Sequence, residues 1–477
     1  MPVRKTVGVD AVDNSNREIS YIHYRMSFKE WKAYWKSLDW SRKWFAYFLL
    51  LRPLVDTLYF VKEYSSFLSP VYIVGVLTPL LALASFQSYK FRKAPHNGLD
   101  NLMSIWGFIL LINALYLLTW AYSLNNLGDQ IKYLTPPVIF IYLRRFIRHR
   151  HDLRFLMTTF LISCLVPFGM LAFELLVHPL TPEYVSEGRG GGSRLRGNFA
   201  DSVSYGIYFI GAFITMSYFF LEKVYSKVKS GGAPTLKLFL IFVVCVAGVI
   251  SLRHVSTWAV FLICIAWLLY YNSQNIRGLA VVIVIGLVVL PIFAQPIYNE
   301  FIAPLLQKEI NVIEGNSDIQ FGLNGRISRW QRYFEVWSEM SPVAQFLGVS
   351  FSNFKEAPIM VGGGMHSDYV RILFLSGIIG VSVYVLFIFA LIFGWQKLRK
   401  PERFLFFSTF SALVLYSVST LPMIYLPFIN YVFPIFCFSL LPAKVAYADP
   451  VTTKKPASGA SAAPLPDPAV RPTRKSS

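Results

Sequence analysis

What most constrains this chain is a succession of about twelve apolar runs, each near the length that carries a helix across a bilayer. A helix rises about 1.5 Å per residue, so roughly 20 apolar residues cross a hydrocarbon core ~30 Å thick. Water is absent there, so every backbone polar group must be satisfied within the protein. The runs fall at 44–60, 67–86, 102–122, 133–143, 155–177, 205–221, 238–252, 257–270, 278–297, 369–395, 404–423 and 425–440. The fourth is short and carries Pro136-Pro137, and the last two also read as one hairpin interrupted at Pro422 and Pro427. With 55% of its 477 residues hydrophobic and 15% charged, the chain is too apolar for an ordinary soluble protein of this length. The expected fold class is an all-α polytopic membrane protein with about 12 transmembrane helices.

Charge orients the runs. With the amino terminus inside, 32 of the 45 Lys and Arg lie on the inner side. That is the asymmetry of the positive-inside rule. The net charge of +19 is therefore read as topology and not as a nucleic-acid surface. About forty polar, basic residues precede the first run, the wrong order for a cleavable signal peptide. Cys164, Cys245, Cys264 and Cys437 all fall inside runs and read as small core residues, not as disulfides or a metal site.

The chain divides accordingly. Residues 1–43 form a basic tail whose Trp31, Tyr34, Trp35, Leu38 and Trp40 suit either a short amphipathic helix on the lipid surface or a loose topogenic tail. Residues 44–297 hold the first nine runs, with a small Gly/Arg loop at 178–204. Residues 298–368 form the one long polar interval, 369–441 the last three runs, and 442–477 a tail rich in Pro, Ala, Ser and Thr that is expected to be disordered. Arg52 and Asp56 sit one turn apart in the first run, spaced to neutralise each other, and serve either packing or a site.

The chemistry-bearing residues gather between the runs. In the small loop, Arg189, Arg194 and Arg196 alternate with glycines, which fits a flexible linker or a clamp on phosphate. The short turn at Arg253-His254 adds a cationic contribution to an outer site or contacts headgroups. In the long interval, Ile327, Trp330, Tyr333, Phe334 and Trp337 share one helical stripe. Arg326 lies beside that stripe, while Arg332, Glu335 and Glu339 point away. A cation on the buried side of an aromatic face needs an anion or an aromatic partner. Gly362-Gly363-Gly364 then precede His366, Ser367 and Asp368 at the mouth of the next run, where Gly377 to Gly380 permit close helix contact.

In order and topology, these motifs resemble the O-antigen ligase and polysaccharide polymerase superfamily of bacterial inner-membrane proteins. The similarity runs roughly over 180–395. It rests on Arg194-Leu195-Arg196-Gly197-Asn198-Phe199-Ala200-Asp201, on Gly325-Arg326 with Trp330, Trp337, Pro342 and Leu347-Gly348, and on His366-Ser367-Asp368-Tyr369 with Gly377 to Gly380. The chain departs from the family pattern at Ser251-Leu252-Arg253-His254, which stands where members carry Ser-Arg, and at Ser367, where they usually carry Asn.

The resemblance implies a large periplasmic loop containing short helices, both termini in the cytoplasm, and a glycosyltransferase working on an undecaprenyl-diphosphate-linked glycan donor and a glycan acceptor. It implies His366 and Arg326 as catalytic residues, Arg194, Arg196, Arg253 and Arg329 as diphosphate ligands, and Asp368 and Trp330 as supports. No outer loop carries an Asp-x-Asp metal motif, so the simpler expectation is a reaction without metal or other cofactor. Partners implied are the bilayer, a flippase and chain-length regulators. The opening Arg52-Pro53-Leu54-Val55-Asp56 and the His366-Ser367-Asp368-Tyr369 run look more like exopolysaccharide polymerases than ligases, which transfer a finished glycan to lipid A–core. The rival class is a lipid-linked-sugar transporter. Transporters carry ionisable groups at mid-membrane, whereas the runs here are nearly free of charge apart from Arg52 and Asp56.

Overall fold

The computed structural model describes residues 26–64, 68–88, 98–119, 124–181, 183–184, 193–225, 234–272, 303, 307, 310–312, 314–315, 322–351 and 366–447. Within them the chain is helical except for one two-residue antiparallel pairing. Helices cover eleven of the twelve expected runs: α2 (Trp40–Thr57), α4 (Pro70–Ser85), α5 (Gly98–Thr119), α6 (Leu124–Phe146), α7 and α8 (Arg150–Ser163 and Leu165–Leu176), α9 (Ser202–Tyr225), α10 (Pro234–Ser251), α11 (Val255–Asn272), α14 (Asp368–Ile392), α15 (Lys400–Ser419) and α16 (Leu426–Ser439). The run at 278–297, the glycines at 190–192 and 362–364, and the tail beyond 447 lie outside the described residues.

Among the described residues, five helical segments are long and apolar enough to cross a membrane: Gly98–Leu118, Arg150–Leu176, Ser202–Tyr225, Val255–Asn272 and Asp368–Lys397. The protein is a helical membrane protein. Its outward faces expose Leu80, Phe108, Leu262 and Phe389, side chains that lipid solvates and water does not. At the centre, every residue of α16 is buried, and α9 is buried along almost its whole length. A helix apolar on all sides belongs in the middle of a bundle.

Two expectations at the amino end change. The sixth helix begins at Leu124, nine residues before the run expected at 133–143, and passes through Pro136-Pro137 unbroken. The aromatic stretch forms α1 (Phe28–Ser37), closed by a capping box between Ser27 and Glu30. One side of it packs on protein. The Trp31 indole donates to Thr159 in α7 at 2.9 Å, and the Tyr34 hydroxyl donates to Asp152.

The connections collect at two opposite ends of the bundle. At one end, Arg150 reaches both Glu222 (2.7 Å) and Glu402 (2.5 Å), and Arg154 adds a second contact to Glu222 (3.0 Å), joining α7, α9 and α15. Towards the other end, Arg52 and Asp56 form the ion pair their spacing predicts, at 2.7 Å, and Tyr208 in α9 donates to Asp56 at 2.7 Å. Arg52 Nε and Nη1 are buried with no hydrogen-bond partner among the described residues. The four cysteines are buried and unpaired.

The long interval contributes α12 (Gly322–Ser338), α13 (Pro342–Leu347) and a 3-10 turn at Val349–Phe351. They form a small second core of Tyr333, Met340, Ala344 and Val349 against Val370 and Phe374 of α14. α14 itself breaks at Gly377, where φ is 64° and ψ is −169°. The end of α13 wedges into the break: a Cβ on Gly377 would stand 2.2 Å from the Phe346 carbonyl oxygen, and one on Gly348 2.4 Å from that of Leu375. The carbonyls exposed there are satisfied from neighbouring spans. Asn113 in α5 donates to Leu347 O at 2.7 Å, and Gln130 in α6 donates to Leu375 O at 3.2 Å. Irregular backbone at membrane depth requires partners of this kind.

Candidate functional site

Residues 193–201 are pinned at one end of the bundle, not left as a linker. Ser193–Arg194 pairs with Glu183–Tyr184, placing Arg194 opposite Glu183. Gly197 and Asn198 follow with φ of 54° and 61°, the left-handed region that these two residue types tolerate. The turn exposes two amides, and both are met: Gly197 N–H donates to Glu174 and Asn198 N–H to the Thr181 hydroxyl, each at 3.1 Å. Phe199 stacks on Tyr205 at 4.8 Å, and Asp201 caps α9 through Ser204 N–H at 2.6 Å. The result fixes Arg194 in place. Arg196 is used locally, its Nε donating to the Thr181 carbonyl at 2.9 Å.

The turn between α10 and α11 holds Arg253 in a left-handed conformation, with φ of 49°, and His254 beside it. Trp258 Nε1 closes the hairpin onto Val249 O at 2.7 Å. His254 Nδ1 lies 3.1 Å from the Thr257 hydroxyl and accepts from Thr257 N–H at 3.3 Å. Thr257 in turn accepts from the Tyr416 hydroxyl at 3.3 Å, which leaves its own proton for Nδ1. An Nδ1 that accepts puts the ring's proton on Nε2.

His366 is exposed, and its φ of 31° is rare outside glycine. The residues after it hold it there. Ser367 is buried and donates to Ser417 O at 3.1 Å. Asp368 is fully buried and accepts from the Tyr133 hydroxyl (2.8 Å), Met423 N–H (3.0 Å) and the Ser417 hydroxyl (3.4 Å). Asp368 therefore anchors the start of α14 to α6, to α15 and to the turn that follows α15.

Helix α12 carries Arg326 near its start, half-buried. Its packed face runs through Trp330, Tyr333, Val336 and Trp337, while Phe334, expected in the stripe, is exposed.

Electrostatics sorts these residues into two groups. Burial and the charges of Arg194, Arg326 and His366 push His254 down to about 3, so it is neutral throughout the physiological range. Three cationic or protonatable side chains from distant parts of the chain thus act on one imidazole. The second group surrounds Tyr333. Burial raises its phenol, and Arg329, Arg371 and Arg332 act against that shift. Arg371 is buried one turn into α14. Of the arginines expected to bind together, Arg194 and Arg326 share the His254 corner, Arg253 neighbours it in sequence, Arg329 stands with the Tyr333 group, and Arg196 is tied to Thr181. Arg332, expected to face away, is exposed, and its charge still acts on the neighbouring Tyr333.

Two residues escape sequence reasoning. His254 was read as cationic; only its neighbours in space reveal that it is neutral. Arg371 looks like an ordinary flanking cation until α12 is seen to pack beside it. Among the described residues no three His, Cys, Asp or Glu side chains group as metal ligands. The corner as built suits an anionic, polyoxygenated group: two guanidiniums supply charge and forked donors, and His254 supplies a neutral donor. His366 is the second imidazole whose charge acts at this corner. No family model matches the chain, and no curated protein matches it.

Proposed function

We propose that this protein is a metal-independent glycosyltransferase at the periplasmic face of a bacterial inner membrane, joining glycans carried on undecaprenyl diphosphate. The observation that carries the reading is the convergence of Arg194, Arg326 and His366 on the His254 turn. In the proposed reaction, a hydroxyl of the acceptor glycan attacks the anomeric carbon of the donor. The new glycosidic bond forms as the bond to the diphosphate oxygen breaks. His366 takes the hydroxyl proton, and Arg194 and Arg326 neutralise the charge that builds on the departing diphosphate. Arg253 and the group formed by Arg329, Arg332 and Arg371 extend the cationic surface along the carrier's headgroup. The polymerase form of the reaction, extending a glycan on its lipid carrier, is the one put forward. It goes with twelve spans, both termini cytoplasmic, and a flippase and chain-length regulators as partners.

Deleting the gene and analysing the glycan tests this. A lost polymerase leaves single repeats on lipid A–core, or removes a secreted polymer while lipopolysaccharide stays intact. Full-length chains stranded on the carrier would instead identify a ligase. Unchanged glycans of every kind would end the proposal.

A further inference from the structure

The proposed reaction assigns work to Arg194, Arg326 and His366 and none to the imidazole they surround. His254 is the last of the three residues between α10 and α11. Its ring is held on one side only, through Nδ1, by the hydroxyl and amide of Thr257. Thr257 is itself fully buried and held by Tyr416. That arrangement fixes the proton on Nε2, and Nε2 makes no hydrogen bond among the described residues. The bond to Thr257 N–H also caps the first turn of α11, so the ring's orientation is set by a helix end.

We propose that His254 is a substrate-contacting residue whose Nε2–H donates to an anionic oxygen of the diphosphate lying between Arg194 and Arg326. The inference rests on the reading of the site given above and adds to it a donor that carries no charge. The distinction has chemical content. A third cation beside two arginines would pay repulsion in the empty site and hold the product diphosphate tightly after transfer. A neutral imidazole N–H, oriented in advance, strengthens its bond as charge develops on the oxygen and adds nothing to that repulsion. Burial first, and the surrounding positive charge with it, keep the ring neutral.

A pair of substitutions separates this role from helix capping. In His254→Asn, the amide oxygen stands where Nδ1 stood, which keeps the cap and removes the Nε2 donor. In His254→Gln, the longer amide places an N–H near the Nε2 position and gives up the cap. The probe is inorganic diphosphate, titrated into the purified full-length protein in detergent and followed by calorimetry. A hydrogen bond to a charged group predicts about tenfold or more weaker binding in the Asn variant. The Gln variant stays within about threefold of the unsubstituted protein. The reverse order would show a capping residue and overturn the proposal, as would equal weakening in both variants or no change in either. Failure of the unsubstituted protein to bind diphosphate would overturn it too. Diphosphate binding with the predicted order in a protein that joins no glycan would sink the transferase reading and leave the role of His254 standing.

Discussion

Replacing Gly377 by Ala should undock α12 and α13 from the bundle. The backbone there, at φ 64° and ψ −169°, lies in a region essentially reserved for glycine. Holding any other residue in it costs about 1–3 kcal/mol. The added Cβ would also meet the Phe346 carbonyl oxygen at 2.2 Å, its carbon at 2.3 Å and the Leu347 nitrogen at 2.6 Å. These are backbone atoms and cannot swing aside. Relief requires Phe346–Gly348 to withdraw, which breaks the Asn113 bond to Leu347 O and disturbs the Gln130 bond to Leu375 O. Each such bond is worth about 1 kcal/mol. Strain and lost bonds together come to about 3–5 kcal/mol, enough to release a segment held by one small core. Limited proteolysis in detergent reads this directly: cleavage within 322–351 should be at least tenfold faster than in the unsubstituted protein. Gly75→Ala serves as control, because nothing lies within 4 Å of a Cβ built there. Equal cleavage rates for Gly377→Ala and the control would refute the wedge as the element that holds the loop.

Asp56→Ala leaves the Arg52 guanidinium buried without its counter-charge and should cost about 3–5 kcal/mol in thermal unfolding. Arg52→Met with Asp56→Leu should recover most of that loss, and a double variant as unstable as the single one would refute the desolvation argument. His254, held near 3 instead of its usual value of about 6.5, should show side-chain resonances that do not move between pH 5 and 8. A depressed histidine contributes stability that is present above about pH 6.5 and lost as pH falls towards 3; a midpoint near 6.5 would contradict the geometry of the turn. Reporter fusions at Ser317 and Lys455 should report opposite sides of the membrane, and both on one side would refute the twelve-span arrangement.

The helices of the described apolar runs were legible because a bilayer imposes both length and apolarity, and those appear in sequence without any tertiary information. The failures have the same physical origin. The first two turns of α6 were missed because Asn125, Asn126, Asp129 and Gln130 interrupt the apolar run. Gln130 is polar because it answers Leu375 O at a kink in another helix. The kink at Gly377 was read as mere close packing, since glycine in an apolar run signals small size as readily as an unusual backbone. In the site, Arg194, Arg326 and His366 were named from motif order, and the structure brings them to one imidazole. The neutrality of His254 was not legible, because charge state depends on how deeply the fold buries the ring and on which cations it delivers there. Asp368, expected as a support, fixes the helix start from which His366 projects.

In the proposed reaction His366 takes the proton of the attacking hydroxyl. The direct measurement is glycan joining by purified protein in vesicles supplied with undecaprenyl-diphosphate-linked repeats, comparing the unsubstituted chain with His366→Ala. The variant should fold, still bind donor, and join glycan about 10²–10⁴-fold more slowly, the usual cost of a lost general base. A variant that keeps more than about a tenth of the unsubstituted turnover would contradict that role, because the loss of a general base should slow the reaction at least about a hundredfold.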